Sequence, residues 1–317
     1  MKKLISYILP VYNEDENIEI FYKVLTKTIE RIEKIYEFEL VFINDGSKDN
    51  SLKMLTQMHE KDDRVKVINF SRNFGHQIAI TAGLDNCEGD AVIIMDTDLQ
   101  DPPRVSLELI EKWEKGFDVV FAKRRNRKDG IFKKITAYLF YRILNKFIEF
   151  QIPLDTGDFR LVDKKVVKEF RKFRERNRFV RGLFSYLGFA QTAVLFDRDE
   201  RHAGHTKYPF KKMLKFALDG ITSFSVFPLK LITQFGFVVS MISFIGIVYA
   251  LVLRIFFPEI TVSGWTFLVI AILFLGGVQM IMLGIIGEYI GRIYSEVQGR
   301  PLYIIESIYS NKPKVKS

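Results

Sequence analysis

One cysteine, four histidines and nine prolines are spread over 317 residues, and each scarcity excludes something. With Cys87 as the lone thiol, no internal disulfide can close and no zinc site can be built from cysteines. A reducing compartment is the expectation. His76, His202 and His205 do not stand at metal-ligand spacing from one another. Twenty glycines and nine prolines are too few for a fibrous chain, and 48% hydrophobic residues are too many for a disordered one. No Gly-x-Gly-x-x-Gly follows the first apolar run and no Walker lysine loop is present. The usual dinucleotide and P-loop readings are therefore disfavoured. Neither an internal repeat nor a low-complexity linker is visible.

What is present is unevenly distributed. Residues 1–122 hold 15 basic and 23 acidic side chains, and residues 123–230 hold 26 and 11. The last stretch, 231–317, carries only 6 and 4. Within it Leu231–Leu253 and Ile260–Gly287 contain no charged residue. A hydrocarbon core of ~30 Å takes about 20 apolar residues of helix, so two membrane spans are expected, at 231–257 and 260–290. Trp265 is placed as an interfacial anchor. Arg254 is the only basic residue in the short loop between them, whereas Arg292, Arg300, Lys312, Lys314 and Lys316 follow the second. The positive-inside rule then puts the front of the chain, 1–208, and the tail, 291–317, on the cytoplasmic side of a plasma (inner) membrane as a multi-pass protein. The N-terminal apolar run, Leu4–Leu9, is short and meets Pro10 and then Glu14, Asp15 and Glu16, so it is not expected to be a signal peptide.

The front half alternates. Apolar runs at Leu4–Leu9, Phe38–Ile43, Val65–Phe70, Ala91–Met95 and Asp118–Ala122 are separated by helical patterns at Glu16–Ile35, Ser51–Glu60, Gln77–Asn86 and Pro103–Lys115. Strand–helix alternation predicts an α/β domain with a mostly parallel sheet covered on both faces. Ligands of such sheets bind beyond the carboxyl ends of the strands. Those ends carry Pro10-Val11-Tyr12-Asn13-Glu14, Asn44-Asp45-Gly46-Ser47, Ser71-Arg72-Asn73-Phe74-Gly75-His76, and Asp96-Thr97-Asp98-Leu99-Gln100-Asp101-Pro102-Pro103.

The last of these is the sharpest. Two carboxylates at i and i+2, leaving an apolar strand, can converge on one hard divalent cation with the carboxamide of Gln100. Mg²⁺ is usually held by one or two carboxylates plus substrate phosphates, so a pyrophosphate ligand is expected. A solvated Asx turn before the Pro-Pro pair is the competing reading; Asp45 at a neighbouring strand end favours the site.

The segments LPVYNEDENI, INDGSKDNS, SRNFGH and MDTDLQDPP resemble those of glycosyltransferase family 2, a family with the GT-A fold. More narrowly, LPVYNE with DLQDPP, TGDFRL and RHAGHTKY is similar to the polyprenyl-phosphate glycosyltransferases, which include dolichyl-phosphate mannose synthase and the bactoprenol glucosyltransferases. The two C-terminal spans match the bactoprenol branch. The resemblance implies that Pro10, Tyr12 and Glu14 line a nucleotide base pocket with Asp45 bonding the base. It implies that Asp96 sits near ribose and metal, and that Asp98 and Gln100 coordinate Mg²⁺ or Mn²⁺ on the donor pyrophosphate. Asp158 falls where the family places its acceptor-side carboxylate. Arg124, Arg201 and Lys207 match positions that hold the acceptor phosphate.

The implied chemistry is coherent. A polyprenyl phosphate brings an acceptor oxygen that is already anionic at neutral pH, since a phosphomonoester has a second pKa of ~6. A strong general base is then unnecessary, so Asp158 is read first as an orienting or electrostatic residue. Direct displacement inverts the anomeric centre. The bactoprenol resemblance implies a UDP-hexose donor, although these residues leave guanosine open, and the sugar itself is not encoded.

The basic middle suggests where a lipid is met. Helical patterns at Ile131–Phe150 and Phe210–Phe227 interleave apolar residues with Arg142, Lys146, Lys211, Lys212 and Lys215. Amphipathic juxtamembrane helices, 209–230 among them, are expected to dock at the interface, at roughly 1 kcal/mol per basic residue near an anionic leaflet. The run Arg171–Arg181 is the least interpretable. Nucleic-acid binding is disfavoured because no aromatic stacking motif accompanies it. A processive polysaccharide synthase is disfavoured because Asn177-Arg178-Phe179-Val180-Arg181-Gly182 lacks the tryptophan of that class's motif. A catalytically silent nucleotide-sugar-binding scaffold has no need of Asp96, Asp98, Gln100 and Asp158 together. Homo-oligomerisation through Phe210–Phe227 or a tail strand around Pro301–Ile305 is left open.

Overall fold

The computed structural model describes residues 2–125, 156–197, 227–256 and 265–311. The chain forms two compact units, Met1–Leu214 with Arg300–Ser317, and Lys215–Gly299.

The first unit is built on one sheet of eight strands: β1 (Lys3–Val11), β2 (Tyr36–Asn44), β3 (Val65–Phe70), β4 (Ala91–Ile94), β5 (Val119–Arg124), β6 (Thr156–Asp163), β7 (Gln191–Phe196) and β8 (Ile305–Tyr309). Their order is β7-β5-β6-β4-β1-β2-β3-β8. The unbroken apolar runs become buried strands, since Ile5 to Val11 and Phe38 to Asn44 are all buried. A strand buried on both faces has no use for polar alternation. Helices α1 (Asp15–Ile29), α2 (Ser51–Lys61), α3 (His76–Asn86), α4 (Val105–Glu114), α5 (Lys164–Phe170) and α6 (Val180–Tyr186) complete this unit among the described residues. Helix α1 buries Ile18, Phe21, Leu25 and Ile29, one apolar stripe at helical spacing. It stops short of the expected Ile35, because Ile35 is exposed and residues 30–35 close into turns instead.

Pairing direction sets the site. β1 runs parallel to β2 and β4, and β2 to β3, so four strand ends share one edge. β6 is antiparallel to β4, with Ile94 opposite Arg160, which starts β6 where β4 finishes. β5 is antiparallel to β6 and brings Arg124 to the same edge. The expectation of a mostly parallel sheet holds for the β3-β2-β1-β4 half. The other half is mixed.

β8 was not expected inside the sheet. It pairs antiparallel with β3 of its own chain, which makes residues 305–309 an edge strand of this sheet. The pairing satisfies the outer backbone groups of β3, which an open edge would leave to another chain.

The second unit holds α7 (Phe227–Phe256) and α8 (Trp265–Val297). Helix α8 continues past residue 290, where the second span was expected to end. Within it Phe274–Val297, 24 residues that reach a mean hydropathy of 1.4 over 18 of them, is long and apolar enough to cross a membrane. Two spans were expected; among the described residues this stretch alone reaches that length and hydropathy, and the apolar part of α7, Leu231–Gly246, is shorter. Phe237, Phe244, Ile272 and Met280 on these helices are exposed. The amphipathic patterns at Ile131–Phe150 and Phe210–Val226, with Arg201 and Lys207, lie outside the described residues.

Candidate active site

The loops leaving β1 and β2 are knitted together. Asp45 donates its amide to the Val11 carbonyl at 2.9 Å, Asn13 donates to Ser47 Oγ at 3.0 Å, and Lys48 donates to Asn13 Oδ1 at 2.8 Å. Asn13 takes a left-handed φ of 53°, which asparagine tolerates better than most residues. Pro10 is buried and its carbonyl accepts from Thr97 Oγ1 at 3.2 Å, whereas Tyr12 stands exposed beside it. Glu14 ends this loop at the start of α1 and accepts from Asn17 Nδ2 at 2.6 Å.

Asp45 is buried, and its carboxylate organises the loop after β3. Oδ1 accepts the Phe74 amide at 2.7 Å, while Oδ2 accepts the Gly75 amide at 3.0 Å and Asn73 Nδ2 at 2.9 Å. Burial raises its pKa, opposed by the two amides and the nearby His76 and Arg72. This role was not foreseen: Asp45 holds the segment that delivers His76 to the first position of α3.

His76 joins the two halves of the site. Its Nε2 lies 3.5 Å from Asp96 Oδ1 and 3.3 Å from Asp158 Oδ2. Burial works against its charged form, but Asp96 and Asp158 outweigh that and push its pKa up to about 9. Asp158 is buried at the start of β6 and also takes Arg181, with Nε to Oδ1 at 2.8 Å and Nη2 to Oδ2 at 3.1 Å. Burial alone would raise the Asp158 carboxyl, yet Arg181 and His76 hold it well below the usual carboxylate range. Gln77 closes the frame. Its Nε2 donates to Asp158 Oδ2 at 3.2 Å, and its Oε1 accepts the Val180 amide at 3.0 Å, satisfying an orphan donor at the start of α6.

After β4, Asp96 is partly exposed and Asp98 buried, with Asp98 Oδ1 accepting the Gln100 amide at 3.1 Å. Leu99 between them holds a left-handed φ of 61°, a costly conformation for a bulky side chain. No group of three His, Cys, Asp or Glu able to hold a metal occurs among the described residues. Two hard carboxylates without a third protein ligand of that kind fit Mg²⁺ or Mn²⁺ completed by phosphate oxygens. Arg124 ends β5 on the same edge of the sheet.

The two carboxylates bridged by His76 lie at the carboxyl edge of the sheet, where ligands of open α/β sheets bind. The family profile of glycosyl transferase family 2 matches residues 6–171. The chain belongs to that family. This family 2 glycosyltransferase, with its GT-A type α/β fold, is 50% identical over 310 residues to the uncharacterized glycosyltransferase YkcC of Bacillus subtilis, covering 98% of this chain and 95% of the relative. It is 45% identical over 310 residues to the SfII prophage-derived bactoprenol glucosyl transferase of Shigella flexneri, covering 98% and 99%. Among solved structures it is similar to a glucosyl-3-phosphoglycerate synthase of Mycobacterium tuberculosis in complex with Mn²⁺, UDP and glucosyl-3-phosphoglycerate, with a TM-score of 0.47 and 18% identity over 69% of this chain and 78% of that one.

Within this glycosyltransferase, His76, Gln77 and Arg181 are site residues that sequence reasoning had not assigned. His76 closes a strand-end motif, which was the available signal. Arg181 sat at the end of an uninterpreted basic run, and nothing in its spacing pointed 23 residues back to Asp158.

Proposed function

We propose that this enzyme moves a hexose, of the glucose or N-acetylglucosamine type, from a UDP-linked nucleotide sugar to polyprenyl (undecaprenyl) phosphate. The transfer inverts the anomeric carbon and yields a polyprenyl-phosphate monosaccharide for later glycan modification. The observation that carries this reading is the extent of the likeness. Identity to the bactoprenol glucosyl transferase of Shigella flexneri covers 98% of the chain, well beyond the family domain at 6–171 and through α7 and α8. The apolar stretch of α8 supports seating in a membrane, and the reading completes this with two spans that leave the catalytic domain and C-terminus on the cytoplasmic side.

In this reading Pro10, Tyr12, Glu14 and Asp45 belong to the nucleotide end, with Asp96 between nucleotide and sugar. Asp96, Asp98 and Gln100 would hold Mg²⁺ or Mn²⁺, which supplies charge stabilisation for the departing pyrophosphate. Arg124, with Arg201 and Lys207, would hold the acceptor phosphate. An acceptor oxygen forms the new bond to the anomeric carbon as the bond to the β-phosphate oxygen breaks, releasing the nucleoside diphosphate. No proton need be removed, because the acceptor is already ionised. The state of Asp158 supports this, for a carboxylate with so low a pKa is a poor base. Asp158 instead fixes Arg181 and His76, two cations beside the path of two phosphates.

The test is incubation of the detergent-purified protein with undecaprenyl phosphate, Mg²⁺ and a panel of labelled nucleotide sugars, followed by lipid extraction. Label in the organic phase from one dominant donor is expected. Nucleotide release with an oligosaccharide acceptor, but no lipid product, would overturn it in favour of a polymerising enzyme.

A further inference from the structure

The segment that follows α8 reaches back to the nucleotide end of the site. Tyr303 stacks on Phe70, the last residue of β3, with ring centroids 5.3 Å apart and planes at 18°. Phe70 meets Phe74 edge-on at 5.6 Å and 85°. Phe74 in turn carries the Arg72 guanidinium over its ring at 4.1 Å and gives its amide to Asp45 at 2.7 Å. The next residue, Gly75, is also bound to Asp45 and begins the helix that carries His76 and Gln77. Tyr303 is itself pinned. Its hydroxyl donates to Asp85 Oδ2 at 2.9 Å, the oxygen that Arg174 Nη1 reaches at 2.7 Å. The backbone follows the same course, since the Ser71 amide donates to the Ile304 carbonyl at 3.1 Å and the β3–β8 register shifts between Asn69 and Phe70. Bulges of this kind re-aim a strand end beside active sites.

We infer that Tyr303 is a positioning residue, holding the 71–76 loop through Phe70 and Phe74 so that Asp45 and His76 keep their places. It touches neither Asp45 nor His76. Ser71, Arg72 and Asn73 are exposed, so the loop is held by the Asp45 carboxylate, by the Ser71–Ile304 backbone bond and by the ring stack. Gly75, at φ 103°, adds a backbone position that side chains rarely adopt. A flat ring stacked on Phe70 limits the ways in which Phe70 and Phe74 can repack. The inference rests on the reading of this loop as part of the donor site, and its test separates the two.

The experiment compares the full-length protein with Tyr303→Ala and Tyr303→Phe. Amide hydrogen exchange is followed at Phe74 and Gly75, with β1 and β2 amides as internal reference, and UDP binding is measured with Mg²⁺ present. In Tyr303→Ala exchange at Phe74 and Gly75 is expected to quicken roughly tenfold, and UDP to bind more weakly by a similar factor, the order an aromatic pair contributes. Tyr303→Phe keeps the stack and restores both. Unchanged exchange at the two amides overturns the inference. So does acceleration spread evenly over β1 and β2, which would make Tyr303 a general stabiliser, or a Tyr303→Phe variant as impaired as Tyr303→Ala. If exchange responds locally but the wild type binds no UDP, the positioning role stands and the donor-site reading fails. Should Tyr303→Ala not fold, Tyr303→Leu keeps the apolar bulk without the flat ring and is measured the same way.

Discussion

Arg181 grips Asp158 with two nitrogens, 2.8 Å and 3.1 Å from the two carboxylate oxygens, and its Nη1 also donates to the Thr156 carbonyl at 3.1 Å. The pair joins the start of β6 to the second residue of α6. Bidentate contact of this kind needs a planar fork, so lysine is a poor substitute.

Arg181→Ala should therefore cost about 3 kcal/mol of stability, the size expected when one partner of a buried ion pair is removed. Arg181→Lys should recover only part of it. Chemical denaturation with an unchanged slope checks the claim, and a loss below about 0.5 kcal/mol, typical of a neutral surface change, would count against it.

The same pair sets a pH dependence. The pKa of Asp158 is lowered in the folded protein, so its contribution is fully present above the unfolded value of about 3.9 and is lost as pH falls through the folded value. Stability of the wild type relative to Asp158→Asn should narrow as pH falls into strong acid and Asp158 takes up its proton. His76 runs the other way. Raised to about 9, it contributes below its unfolded value near 6.5 and loses that contribution as pH climbs through 9. A stability profile of His76→Gln that parallels the wild type between pH 6 and 10 would contradict that assignment.

Asp98 sits in a buried turn closed by its own Gln100 amide, so its side chain is placed before any ligand arrives. Asp98→Ala should abolish transfer through loss of metal and pyrophosphate binding. Chelation of divalent cations should do the same to the wild type, reversibly. Full turnover by the variant, or by chelated enzyme, would refute the proposed metal role.

Legibility in the sequence tracked the kind of strand. β1, β2, β3 and β4 are apolar runs ending in polar motifs, and both features survive in the sequence as written. β6 is different: Asp158, Arg160 and Asp163 interrupt it, yet Arg160 is buried with its guanidinium 5.1 Å from the Phe184 ring and its Nη2 donating to Gly157 at 3.0 Å. Charges satisfied locally inside a strand erase the pattern that marks one. The site divided similarly. Asp96 and Asp98 announce themselves by spacing along one segment, whereas the bridge from Asp96 through His76 to Asp158 exists only after β6 has paired antiparallel with β4. The closing of the sheet by β8 depends on a partner over 230 residues upstream, which no local pattern encodes.

Gly46 exposes the packing of the nucleotide end most directly. It has a left-handed φ of 65°, and a Cβ built there would collide with the backbone of Arg72 and stand 2.5 Å from the Asn73 nitrogen. Backbone cannot rotate aside as a side chain can, so Gly46→Ala must push the 71–75 loop away from Asp45 or distort the turn after β2. The left-handed conformation alone costs about 1 kcal/mol with a Cβ present. The expected result is a folded protein with at least tenfold weaker UDP binding. Transfer should fall through the donor KM, with the polyprenyl phosphate KM unchanged. Equal changes in the two constants would mean that this loop does not belong to the donor side.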